Sequence, residues 1–169
     1  MSSLEVRHVP MRDPLVRPLL EDLVREYVGR YGGLHESLWE YPAERFAPPD
    51  GDFVLIVENG AAVAGGAFQR YSEDTAELKR IWTHREHRRR GLAARVLVEL
   101  EQEAARRGYT RIHLTTGPRQ PEATGLYLAN GYTALFDVTA DPLQIGPLPF
   151  EKHINRSVDV PIRQTATSP

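Results

Sequence analysis

Cysteine is absent from the 169 residues, which excludes disulfides, thiolate metal ligands and any acyl intermediate on a cysteine sulfur. Long apolar runs are missing too. No stretch approaches the roughly 20 residues that cross a bilayer, and the N-terminal segment lacks the apolar core of a secretory signal. A cytoplasmic protein with no membrane partner is the expectation. Neither sign of charge dominates: 21 Lys and Arg stand against 23 Asp and Glu. That balance argues against a dedicated nucleic-acid binder. The six histidines follow no metal-ligand spacing and suggest no Ser-His-Asp arrangement, so no metal is expected. Internal repeats and low-complexity blocks are also lacking.

What is present suits one globular domain, since 41% of the residues are hydrophobic and the length can bury a core unaided. Residues 1–154 read as that domain, and 155–169 as a polar tail, flexible or adding Val158–Ile162 to a sheet edge. Leu4–Val9 reads as a first strand. Asp13-Pro14 opens a helix carrying Leu15, Leu19, Leu23 and Tyr27 at helical spacing, with Pro18 awkward inside it. Leu34–Phe46 reads as two short helical pieces split at Pro42. Phe53–Glu58 is apolar and β-rich, Asn59-Gly60 is a hairpin signal, and Ala61–Arg70 is the returning strand. Within it, Gly65-Gly66 implies a bulge or a close approach. After a polar turn, Glu77–Thr83 makes a third antiparallel strand.

The stretch that organises the chain follows: His84-Arg-Glu-His-Arg-Arg-Arg-Gly91-Leu-Ala-Ala. Strand, short basic loop and helix meet at Arg88-x-x-Gly91-x-Ala93. The first N–H groups of a helix have no intrahelical partner, and the helix dipole places partial positive charge there. Gly91 lets a ligand reach the backbone, and Ala93 keeps the next contact small. Arg85, Arg88, Arg89 and Arg90 add charge. We read Arg88, Arg89, Arg90 and Gly91, with the first helical residues Leu92, Ala93 and Ala94, as a diphosphate cradle. For the loop alone, a solvated basic turn ahead of a core helix is the alternative.

The helix buries Leu92, Val96, Leu97, Leu100 and Ala104 on one stripe and ends at Gly108. Tyr109–Thr116 returns as a strand, and strand, helix, strand makes a parallel pair with a crossover. Pro121 opens a helix to Asn130. Tyr132–Asp137 and Leu148–His153 read as two further strands joined by a Pro-, Asp- and Gly-containing loop. The fold class is α/β: a mixed, mostly antiparallel central sheet of about six to seven strands with one parallel crossover pair, flanked by about four helices.

Three blocks resemble the GNAT N-acetyltransferase superfamily, which uses acetyl-coenzyme A. Arg88-x-x-Gly91-x-Ala93 is similar to its pyrophosphate loop. Ala76-Glu-Leu-Lys-Arg-Ile-Trp-Thr83 is similar to its fourth strand. Pro121-Glu-Ala-Thr-Gly-Leu-Tyr127-Leu-Ala-Asn-Gly131-Tyr132 is similar to its Ala-x-x-x-Tyr-x-x-x-Gly-Phe/Tyr helix and strand. The blocks span about Phe53 to Tyr132; the first fifty residues agree in element order only. Two departures stand out: Gln120 occupies a position where many members have Asn, and Ala93 replaces the commoner second glycine.

The resemblance implies an N-acetyltransferase with acetyl-coenzyme A as co-substrate and no metal. A small-molecule or peptide amine would be the acceptor, and a homodimer is a common assembly in the family. It further implies that the fourth strand parts from the fifth. The backbone of Ile81, Trp82 and Thr83 would then pair with pantetheine, the Ile81 N–H facing the thioester oxygen and Gln120 contacting the pantetheine arm. Glu77 stands where the family often places a general base, and Tyr127 where it places an acid for the departing thiolate. Deprotonating a lysine-like amine at pH 7 costs about 4.6 kcal/mol, an α-amine only about 1. An ordinary glutamate is a weak acceptor, so the base role asks for a desolvated carboxyl acting through water. Lys79, two residues on and on the same strand face, would instead make Glu77 structural. Tyr31, His35, Glu36, Trp39 and Glu40 fall in the segment that usually walls the acceptor pocket. A sensor of acyl-coenzyme A without catalysis, or a nucleic-acid module built on Arg85–Arg90, are the rival readings.

Overall fold

The computed structural model describes residues 3–31 and 38–155, with Trp39 by its backbone alone. Its central strands follow from the apolar, β-branched run Phe53-Val54-Leu55-Ile56-Val57, which suits a strand covered on both faces. That run forms β2 (Asp52–Glu58), buried at every residue. Asn59 (φ 52°) and Gly60 (φ 81°) turn the chain through left-handed backbone, as a two-residue hairpin requires. The returning strand is β3 (Ala61–Arg70). β1 (Leu4–His8) pairs antiparallel with β2, and β4 (Thr75–Thr83) antiparallel with β3.

Between β1 and β2 runs α1 (Arg17–Tyr31). Pro18 lies in its first turn, where a missing N–H costs nothing. Asp13 accepts a hydrogen bond from the Leu15 N–H (2.8 Å) and caps the single turn that precedes it. Two further turns, Leu38–Glu40 and Ala43–Phe46, flank Pro42; residues 34–37 of that segment lie outside the described residues. After β4, α2 (Leu92–Arg106) crosses to β5 (Arg111–Thr116), which lies parallel to β4. Then come α3 (Pro121–Ala129), β6 (Thr133–Ala134), α4 (Pro142–Ile145) and β7 (Leu148–His153). The sheet order is β1-β2-β3-β4-β5-β7-β6.

Two elements differ from the sequence reading. The expected strand 132–137 contracts to Thr133–Ala134. Leu135 still donates to the Pro149 carbonyl (2.9 Å), but Asp137 then accepts from both the N–H and the hydroxyl of Thr139 and turns the chain away, a local bond that competes with the ladder. The expected loop contains α4, whose Asp141 accepts from the Leu143 N–H (3.0 Å) ahead of Pro142. This repeats the Asp-Pro start signal seen at Asp13-Pro14. The expected edge segment Val158–Ile162 lies outside the described residues.

Side chains alternate across the sheet. Phe53, Leu55 and Val57 meet Val16, Leu19, Leu20 and Leu23 on the α1 face. Val54 and Ile56 meet Val96, Leu97 and Leu100 on the α2 face. Burial of each such side chain contributes about 1.5–3 kcal/mol, so both helices are fixed to one sheet, and with them the two walls of the site.

Candidate active site

β4 and β5 are paired only at Thr75–Arg111, Ala76–Ile112 and Glu77–His113. Beyond that seam β4 continues to Thr83 and β5 to Thr116 without pairing to each other. The strands part, and a cavity of about 470 Å³ opens between them, reaching the start of α2, the side of α3 and residues of α1. Unpaired strand edges carry backbone donors and acceptors into that space.

The β4 edge is shaped by a bulge. Gly65 faces Trp82 and Ala67 faces Lys79, so Gly66 alone opposes both Arg80 and Ile81. Arg80 takes up the extra residue in left-handed backbone, φ 65°. The approach opposite is close: a Cβ on Gly66 would lie 2.6 Å from Ile81 Cδ1, so that side chain would have to shift. One inserted residue resets the strand's alternation. Leu78 and Ile81 therefore both pack on the α2 face, while Trp82 packs on the α1 face and donates its indole N–H to Asp22 (2.9 Å). Ile81, Trp82 and Thr83 all line the cavity.

The basic loop delivers the second wall. Gly91, φ 74°, is the N-cap of α2 and has no capping side chain. The N–H groups of Leu92, Ala93 and Ala94 therefore start the helix with no side-chain acceptor, and these residues line the cavity. Arg88 and Arg89 line it as well, Arg89 also in left-handed backbone at φ 65°. Arg90 is turned elsewhere. Its guanidinium grips Glu58 by two bonds, 2.9 and 2.8 Å, and meets His87 Nδ1 at 2.7 Å, tying the loop to the β2–β3 hairpin. Arg85 is exposed and outside the lining. His84 is an anchor: its N–H donates to the Val63 carbonyl (2.8 Å), and its ring accepts from the Glu86 N–H (3.1 Å).

Glu77 closes the seam where the strands separate, and its side chain is 15% exposed. It accepts from Gln69 Nε2 (2.9 Å), whose Oε1 accepts from the Tyr41 hydroxyl (2.6 Å). Lys79 Nζ stands 3.9 Å from its other oxygen, a loose ion pair. Glu77 is set back from the cavity lining, to which Lys79 and Arg80 contribute. Tyr127 of α3 is buried and lines the cavity, packed on Tyr132 and Phe150. Among the described residues its hydroxyl has no hydrogen-bond partner, and burial pushes its pKa well up. Gln120, ahead of α3, accepts at Oε1 from the Gly117 N–H (3.1 Å), leaving Nε2 available at the cavity.

The α1 wall was not legible as such. Leu23, Glu26 and Tyr27 line the cavity, yet in sequence they belong to an ordinary amphipathic helix. Of the segment expected to wall an acceptor pocket, Tyr31 bonds to the α3 approach, accepting from the Arg119 N–H (3.2 Å) and donating to Gln120 Oε1 (3.4 Å). Glu40 is exposed; His35, Glu36 and the Trp39 side chain lie outside the described residues. Folding also gathers His8, Asp52 and Glu103 within 4.8 Å. Arg107 lies among these carboxylates, 2.8 Å from Glu103 and 3.8 Å from Asp52, so a cation already occupies their charge. Among the described residues no helix is long and apolar enough to cross a membrane.

Residues 17–132, which carry the seam, the cradle and Tyr127, match the Acetyltransferase (GNAT) family. The chain belongs to that family. The Bacillus subtilis (strain 168) protein YsnE, an uncharacterized N-acetyltransferase, is 32% identical over 82 residues, 48% of this chain and 54% of that protein. The match thus spans about half the length of that curated relative. Among solved structures, the PaiA N-acetyltransferase from Thermoplasma acidophilum in complex with coenzyme A superposes with a TM-score of 0.67 at 17% identity, covering 89% of this chain and 99% of that one. YncA from Salmonella typhimurium, with its cofactor acetyl-CoA, gives 0.67 at 15% identity and 98% of both chains. At such identities the likeness establishes the GNAT fold: a mostly antiparallel seven-stranded sheet with one parallel pair.

Proposed function

We propose that this GNAT domain transfers an acetyl group from acetyl-coenzyme A to a primary amine, by direct attack in a ternary complex. The observation that carries the reading is the parting of β4 from β5 beside the uncapped start of α2. That pairing of features fits a ligand with a diphosphate at one end and an amide-bearing arm at the other. The coenzyme, when bound, supplies an acetyl group activated as a thioester. The Leu92, Ala93 and Ala94 N–H groups, with Arg88 and Arg89, would hold the diphosphate. The free edge at Ile81–Thr83 would hold the pantetheine arm as an added strand, with Gln120 Nε2 as a further donor. The Ile81 N–H, fixed by the bulge, is assigned to the oxygen on which charge develops, since a backbone donor in place before reaction needs no reorganisation.

Glu77 is assigned to take the amine proton through water; Gln69 holds its carboxylate in one orientation. Tyr127 is assigned to the departing thiolate. Its raised pKa keeps the phenol neutral, so it serves as a hydrogen-bond donor to developing charge rather than completing proton transfer. With no cysteine in the chain, a route through a cysteinyl acyl-enzyme is closed, which favours sequential kinetics.

The test combines calorimetric coenzyme binding with thiol release over an amine panel. Tyr127→Phe keeps the packing of an unpartnered hydroxyl, so folding and coenzyme affinity should hold while kcat falls roughly tenfold or more. Unchanged turnover at saturation removes Tyr127 from the mechanism. Absence of acetyl-coenzyme A uptake by folded protein at millimolar ligand overturns the whole reading. The Lys79–Glu77 pair favours a second reading, a coenzyme-binding domain without catalysis; it predicts binding with no transfer to any amine.

A further inference from the structure

On the α1 side the cavity wall holds a cation that has no anionic partner among the described residues. Arg80 sits at the bulge, and its left-handed backbone, unfavourable for a non-glycine residue, departs from the strand's alternation. Its guanidinium is carried onto the α1 face, 4.9 Å from the Tyr41 ring and 5.6 Å from Phe46. Those rings are stacked on each other at 5.3 Å, and the Tyr41 hydroxyl is bonded to Gln69. The platform beneath the guanidinium is therefore held by ring packing and a hydrogen bond. Among the described residues Arg80 has no carboxylate partner, and its Nε is buried without an acceptor. Burial lowers its pKa, with Tyr41 and Tyr27 offsetting part of the effect, yet a guanidinium stays charged in a protein.

Arg80 is half-buried, and a partly desolvated cation gains from a counter-charge. The contrast with neighbouring arginines is direct. Arg111 also has a buried, unbonded Nε, but its Nη1 lies 3.6 Å from Glu151. The two carboxylates lining the cavity, Glu26 and Glu122, are both taken by Arg30, at 3.2 and 2.6 Å. Arg80 thus faces the cavity with Lys79 beside it and no free carboxylate among the described lining residues. A polycationic amine entering there would meet like charge. An amine that also bears an anion would supply what the site lacks.

Resting on the acetyl-transfer reading, we infer that the acceptor is an amino acid or similar amine carrying a carboxylate, and that Arg80 on its Tyr41–Phe46 platform binds that carboxylate. Glu77, linked to the same platform through Gln69 and Tyr41, then addresses the amine end of the same molecule. Arg80 is a specificity-determining residue here, and the bulge positions it.

The experiment compares amino acids with their carboxamides, and with a polyamine, in acetyl-coenzyme A-dependent thiol release. Calorimetric titrations of the same amines into protein loaded with coenzyme A accompany it. The acid form should exceed the amide roughly ten- to hundredfold in kcat/KM, the discrimination expected when a site built for a charged group meets an analogue lacking it. Arg80→Met should erase that preference while acetyl-coenzyme A affinity stays within about twofold, and Arg80→Lys should keep part of it. Equal use of acids and amides overturns the inference, as does failure of every carboxylate amine to bind the loaded protein. A parallel loss of coenzyme affinity in Arg80→Met also overturns it, because Arg80 would then serve the coenzyme. Should Arg80→Met fail to fold, Arg80→Lys and the acid–amide comparison on unaltered protein decide. Wild-type protein that binds no coenzyme at all refutes the acetyl-transfer reading instead, a distinguishable result.

Discussion

His113 stands opposite Glu77 in the last pair of the seam and stacks on Tyr71 at 4.3 Å. Desolvation lowers its pKa, against the pull of Glu77 and Glu151. The folded state thus prefers the neutral imidazole, whereas the unfolded chain binds a proton near its ordinary value of about 6.5. The unfolded state therefore binds more protons in this window. The stability that His113 confers is complete above about pH 6.5 and is lost as pH falls through that value towards the depressed folded one. Urea midpoints measured from pH 8 to 5 should fall for the wild type, and His113→Gln should flatten part of that slope. Glu77 and Tyr127 stand out in the sequence because each lies inside a recognisable block. Arg80 lies in the same block and was passed over. Its proposed role depends on a positive φ, set by which residue of β3 faces which residue of β4, and a single strand's sequence carries no record of its partner's register.

At the level of elements, the start of α2 serves both the fold and the proposed ligand, and the two demands can be separated. Ala93→Glu places a carboxylate in the first turn of the helix, where the dipole favours negative charge by about 0.3–1 kcal/mol. Stability should be unchanged or slightly raised, while acetyl-coenzyme A affinity drops at least tenfold through repulsion of the diphosphate; melting and calorimetry measure the two effects. Elements with a strong period were legible: α2, with its buried stripe of Leu92, Val96, Leu97 and Leu100, and the β2–β3 hairpin at Asn59-Gly60. β6 was overestimated because Leu135 and Phe136 look like strand, while Asp137 bonds locally to Thr139 instead. α4 was overlooked because a single turn has no period to detect, and its Asp141-Pro142 start signal reads equally as a loop.

For the whole molecule, a ligand bridging both sides of the cavity should bind the folded state alone. At a hundred times its Kd it adds about 2.7 kcal/mol, which for a domain of this size shifts Tm by about 5–10 °C. Scanning calorimetry with acetyl-coenzyme A should show that rise, and the double substitution Arg88→Ala, Arg89→Ala should remove most of it. A shift that survives the double substitution would place the diphosphate elsewhere.

The three-pair seam between β4 and β5 gives this sheet two inner rims in addition to its outer ones at β1 and β6. An exposed rim ordinarily invites another chain to add itself. These two converge on an apex at Glu77 and His113, so the space between them narrows like the inside of a wedge. An extended arm with amides of its own could lie along either rim, and the closed end at Glu77 and His113 would set how far in it reaches.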